Sequence, residues 1–178
     1  MDRPGVPALA AAASHETARL RLRHFAGRDL DWLAAAYADP ESMRHIGDGR
    51  TLTRAETWRA IAGMLGHWAL RGYGMWAIEL KATGEAIGRA GFIDPEGWPE
   101  FELGWHLAKD HWGRGYATEA AAFALGYARE RLGRTRVISL IRPGNAASIR
   151  VAERIGMRPD GELDLLGAPA LRYAAGDS

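Results

Sequence analysis

A mixed α/β domain containing an antiparallel meander is predicted by three observations. Apolar residues switch several times between period two and period 3.6 along the chain. Three consecutive strand-like runs in the middle are joined by short segments rich in turn formers. The 178 residues are 47% hydrophobic and 25% charged, the balance of one ordinary core of about this length.

In chain order, "TARLRLRHF" alternates Leu20, Leu22 and His24 against Arg19, Arg21 and Arg23, which predicts a strand. "RDLDWLAAAYADP" carries Leu30, Leu33, Ala34 and Tyr37 at helical spacing and ends at Pro40. "TRAETWRAIAGMLGHWALRG" opens on Thr53 and Glu56 as a capping box, keeps one apolar stripe through Ile61, Leu65 and Trp68, and stops at Gly72. "GMWAIEL" (74–80), "AIGRAGFI" (86–93) and "FELGWHL" (101–107) form the meander, separated by "KATGE" and "DPEGWPE". A helix over about 117–131, a strand in "TRVISLIR" (135–142), a short helix capped by Asn145 and stopped by Gly156, and strands near 161–166 and 170–175 complete the order. There is no internal repeat, and the expected organisation is a loose extension over 1–15 followed by a single domain over 16–178.

Composition excludes several classes. A net charge of +1 gives no bulk attraction for nucleic acid or an anionic membrane. No run approaches the length of a membrane span. The opening "MDRPGVPALAAAASHE" lacks the positive n-region of a signal peptide. Scattered histidines show no ligand spacing, so no metal is expected. With no cysteine, cysteine-based covalent catalysis is excluded, and a reducing cytoplasm suits the chain.

The segment "DHWGRGYATEAA" (110–121) sets two glycines beside an arginine at the mouth of an alanine-rich helix. No Gly-Lys-Ser/Thr follows, so it is no P-loop. A dinucleotide fingerprint would need a small residue where Thr118 stands, and a parallel sheet before it. A seat for some other phosphate survives, because curled glycine backbone and a helix N-terminus both present unpaired N–H groups. A plain turn into a helix is the competing reading.

The combination "ELGWHLAKDHWGRGYATEA", then a strand, then "NAASIRVAERIGM", resembles the GNAT acyltransferases, closest to the branch of ribosomal-protein-alanine N-acetyltransferases (RimJ/RimL-like). The likeness runs from about Thr17 to Tyr173. It departs from the generic loop pattern in placing Trp112 where glutamine or arginine is usual, with Gly115 and Ala117 at the last two positions. The resemblance implies a mostly antiparallel twisted sheet with helices on both faces and with the strands at 101–107 and 135–142 splayed apart. It implies acetyl-CoA as cosubstrate, its pyrophosphate on the amides of Trp112, Gly113, Arg114, Gly115, Tyr116 and Ala117. Its pantetheine would run along Leu107, Ala108 and Lys109 and touch Asn145. It also implies direct transfer to a primary amine, either a protein N-terminus or a small molecule, in a ternary complex, and is compatible with a homodimer. A longer acyl donor and a coenzyme-A-binding regulator without catalysis are the alternatives.

For catalysis the resemblance matches Ser148 to a serine proposed to assist the leaving thiolate. Alternation in "FELGWHL" puts Glu102 and His106 on one face, away from Phe101, Leu103, Trp105 and Leu107. Either could remove the amine proton, His106 because imidazole titrates near neutrality; both could equally be solvated polar-face residues. Family members often use a late tyrosine as acid, and Tyr173 is the one available. Trp58, His67, Trp68, Tyr73 and Trp76 could line the acceptor site, although Trp58 and Trp68 are expected in the core.

Overall fold

The computed structural model describes residues 14–176. Its sheet has eight strands: β1 (His15–Glu16), β2 (Leu20–Arg23), β3 (Met75–Leu80), β4 (Ala86–Ile93), β5 (Glu102–Leu107), β6 (Val137–Ile141), β7 (Arg158–Leu165) and β8 (Ala168–Ala175). Their spatial order is β1-β2-β3-β4-β5-β6-β8-β7. Every neighbouring pair is antiparallel except β5 and β6, which are parallel. The expected extension lies outside the described residues except at its end, where His15 opens β1 and packs against the rings of Trp76, Phe123 and Tyr127.

Five helices cover the sheet: α1 (Leu30–Ala38), α2 (Pro40–Met43), α3 (Arg54–Arg71), α4 (Tyr116–Glu130) and α5 (Ala146–Arg154). On one face α4 lays Ala120, Ala121, Ala124 and Ala128 against Trp76, Phe92, Leu103 and Val137, joined by Val151 and Ala152 of α5. Small side chains let that helix approach closely; each large residue sealed beneath it contributes about 1.5–3 kcal/mol. On the other face Leu33, Tyr37, Met43 and Ile61 pack on Met75 and Ala77.

Local chemistry explains the boundaries. Thr53 and Glu56 form the predicted capping box, and Gly72 ends α3 at φ 76°. Pro40 both stops α1 and starts α2, where it is the first helical residue behind an Asp39 cap that accepts from the Glu41 amide. Sequence spacing predicts only an end at this Asp-Pro pair; it is also a beginning.

Candidate active site

The parallel pair β5–β6 opens almost as soon as it forms. Glu102 and Ile138 are its one register pair, fastened by Ile138 N–H to Phe101 O at 3.2 Å. Beyond it, side chains replace the ladder: the Ser139 hydroxyl donates to Leu103 O at 2.7 Å, and Leu140 N–H donates to Glu102 Oε1 at 3.3 Å. On its other edge Ala108 N–H donates to Ile87 O at 2.9 Å. Successive strand amides point to opposite edges, so the Leu107 amide faces the gap and the Ala108 amide does not.

Past β5, a 3₁₀ turn (Lys109–His111) leads through Trp112 and two left-handed glycines, Gly113 at φ 75° and Gly115 at φ 80°, into α4. The Trp112 indole donates to Leu107 O at 2.8 Å and pins the loop to the strand end. Arg19 Nη1 donates to Arg114 O at 2.9 Å, its guanidinium lies 4.6 Å from the Tyr116 ring centre, and Glu119 holds Arg19 by a 2.6 Å ion pair. One loop carbonyl is thus held from behind. Among the described residues, no protein acceptor takes the amides from Gly113 to Thr118. They are the free donors that curled glycine backbone and a helix N-terminus leave.

Two hollows meet at the gap. The larger, about 490 Å³, is lined by Leu107, Trp112, Gly113, Gly115, Tyr116 and Ala117 on one side and by the start of α5 on the other. The smaller, about 250 Å³, holds Glu102, Arg89, Trp98 and Leu140. Trp105, Asn145 and Ser148 line both, with His45 and Ile46 from the loop after α2.

Glu102 is 6% exposed and accepts from Trp98 Nε1 at 2.8 Å as well as from Leu140. Burial pushes its carboxyl up to about 7; the two N–H donors and the charge of Arg89 only partly oppose that. His106 is also buried, beneath Tyr37, with Nε2 2.9 Å from the Ser42 hydroxyl. Burial first, then the charge of Arg89, hold its imidazole at about 3.

The GNAT acetyltransferase domain model matches residues 19–158. The chain belongs to that family. It is 37% identical over 149 residues to the uncharacterized protein YkkB of Bacillus subtilis (strain 168), which covers 79% of this chain and 83% of that protein. An acetyltransferase of Agrobacterium tumefaciens str. C58 superposes with a TM-score of 0.84 at 34% identity, over 99% of this chain and 100% of that one. RimL, a ribosomal L7/L12 α-N-protein acetyltransferase solved in complex with coenzyme A, shares the fold at a TM-score of 0.74 and 20% identity, over 89% of this chain and 94% of that one.

This GNAT domain departs from the sequence-based expectations at several residues. Trp112, Gly113, Gly115, Tyr116 and Ala117 line the large hollow, but Ala108, Lys109 and the exposed Arg114 do not. Lys109 instead pairs with Glu41 of α2. Asn145 is an N-cap, accepting from Ser148 N–H at 3.2 Å, and lines the site as well. Ser148 lines both hollows, and its hydroxyl bonds no other described residue.

Neither Glu102 nor His106 is solvated: Trp98 and Leu140 close on Glu102, Tyr37 of α1 and Ser42 of α2 close on His106, and His106 does not titrate near neutrality. Tyr173 sits opposite Ser139 inside the core and lines neither hollow. None of Trp58, His67, Trp68, Tyr73 and Trp76 lines them either. Trp58 is 60% exposed, outside the core expected for it, whereas Trp68 packs against the core and donates its indole N–H to Met75 O at 2.9 Å. Residues 45 and 46 supply a wall that the sequence signalled only through the Asp-Pro start of α2.

Proposed function

We propose that this protein transfers an acetyl group from acetyl-CoA to a primary amine by direct attack within a ternary complex. The observation that carries this reading is the run of unpaired amides at Gly113–Thr118, set on a hollow that leads to the gap between β5 and β6. Amides of that kind fit a diphosphate, and the hollow fits an extended arm behind it. Bound there, acetyl-CoA supplies an activated acetyl thioester at the gap.

Residues of the chain do the rest. Glu102, in the smaller hollow, removes the proton that an ammonium must lose before its nitrogen can attack. The Leu107 amide stabilises the negative charge that develops on the carbonyl oxygen. The Ser148 hydroxyl donates a hydrogen bond to the departing sulfur, while Asn145 touches the pantetheine arm and fixes the helix that carries Ser148. His106 is the neutral packing partner of Tyr37 and Ser42, supporting Glu102's strand. The described fold acts as one domain, and the cysteine-free chain suits the cytoplasm.

Ser148→Ala is expected to lower kcat about tenfold or more while leaving acetyl-CoA affinity within about twofold; wild-type turnover in a steady-state assay removes the serine from the chemistry. The function itself is tested by thiol release from acetyl-CoA against a panel of amines and short peptides. Amine-dependent release supports acetyl transfer. Tight acetyl-CoA binding with no release on any amine favours a binding protein instead.

A further inference from the structure

Among the described residues, arginines that leave bulk water are engaged. Arg21 and Arg23 pair with Glu79, Arg136 and Arg172 with Glu100 and Asp160, and Arg134 donates to the Tyr73 hydroxyl. Arg142, in the wall of the smaller hollow, gives its N–H groups to the carbonyls of Gly47, Leu165, Ala168 and Pro169. Arg89 is the exception. It is half-buried in the middle of β4 and lines the smaller hollow, yet no hydrogen bond or ion pair to a described residue satisfies it, and its Nε is buried without an acceptor. The Tyr37 ring lies 5.9 Å from its guanidinium centre.

A partly desolvated guanidinium facing a cavity is costly unless an anion completes it. The register supplies the geometry. Arg89 pairs with His106, four residues along β5 from Glu102 and on the same face, about 13 Å by strand rise. The long arginine side chain shortens that separation, and its charge is felt by the Glu102 carboxyl. A base and an anion receptor therefore share one hollow of about 250 Å³.

We propose that Arg89 binds a carboxylate of the acceptor, so that the substrate is an amine that also carries a carboxylate, of the amino-acid class. This deepens the acetyl-transfer reading and rests on it for taking the smaller hollow as the acceptor side. A carboxylate fits better than a phosphate. The remaining walls include Ile93, Leu103, Trp105, Leu140 and Ile141, and the other arginine there is occupied by carbonyls. One guanidinium fork matches one carboxylate.

The test measures binding, so that it stands apart from turnover. Calorimetric titration of the full chain with a set of N-acetyl amino acids and their C-terminal amides is expected to show the acids binding about tenfold tighter or more. Arg89→Leu brings each pair to near equality, and Arg89→Lys, which keeps the charge but loses the fork, narrows the difference. Equal binding of acids and amides by the wild type overturns the inference, as does a preference that survives in Arg89→Leu. A preference seen only for phosphoethanolamine over ethanolamine overturns the carboxylate. If thiol release fails on every amine while the acid preference holds, acetyl transfer falls and the anion site stands.

Discussion

Gly115→Glu raises the dissociation constant for acetyl-CoA by about a hundredfold or more, with the fold retained. Two effects act together. Gly115 sits at φ 80°, and an L residue held there costs about 1–2 kcal/mol, small against the stability of a domain. A Cβ at this position would meet only the flexible end of Arg19, at 3.4 Å, so no backbone collision adds to it. The new carboxylate, however, lies among the donors from Gly113 to Thr118 and repels a diphosphate while accepting from the same amides. A hundredfold loss corresponds to about 2.7 kcal/mol, within what a few charge-assisted bonds supply. Calorimetry against acetyl-CoA, with circular dichroism as the fold control, decides it. Unchanged affinity in a folded variant removes the pyrophosphate from this loop.

Glu102→Gln is expected to lower kcat by about 10²–10⁴-fold and to erase the acidic limb of the kcat/KM pH profile, which reports the free enzyme. The carboxyl of Glu102 is held at about 7. Below that value it carries a proton and accepts none, so the rate climbs about tenfold per pH unit; above it the carboxylate is present and the limb levels off. The expected profile therefore bends near 7 in the wild type. His106→Gln keeps the bend, because an imidazole at about 3 is neutral throughout that window. Glutamine at 102 still fits beside Trp98 but has no basic oxygen. A bend that persists in Glu102→Gln places the base elsewhere.

Features set by neighbours in sequence were legible, and features set by tertiary cover were not. The capping box at Thr53, the stop at Gly72 and the edges of β4 all follow from local residues. So does the glycine loop, since two left-handed positions before a helix can be read from spacing. Its restraint by Arg19 was hidden, because that residue reaches Arg114 O from 95 positions away. Alternation in β5 revealed that Glu102 and His106 share a face, but not that Trp98 and Leu140 close on the first while Tyr37 of α1 and Ser42 of α2 close on the second. The sequence left the base open between the two; burial raises Glu102 to about 7 and lowers His106 to about 3, a reversal of their ordinary order that alternation cannot show. The place of Tyr173 was hidden for a related reason: it depends on which strand it would face, and β8 sets it against Ser139 within the core. Arg89 gave no local signal, since only the assembled sheet and its helical cover reveal that no described residue pairs with it.

Backbone amide NMR during titration with coenzyme A tests the central claim most directly. The account predicts the largest shift changes at Gly113–Thr118, with smaller ones at Leu107 and at the start of α5. Perturbations concentrated elsewhere, with 113–118 unmoved at saturation, would contradict it.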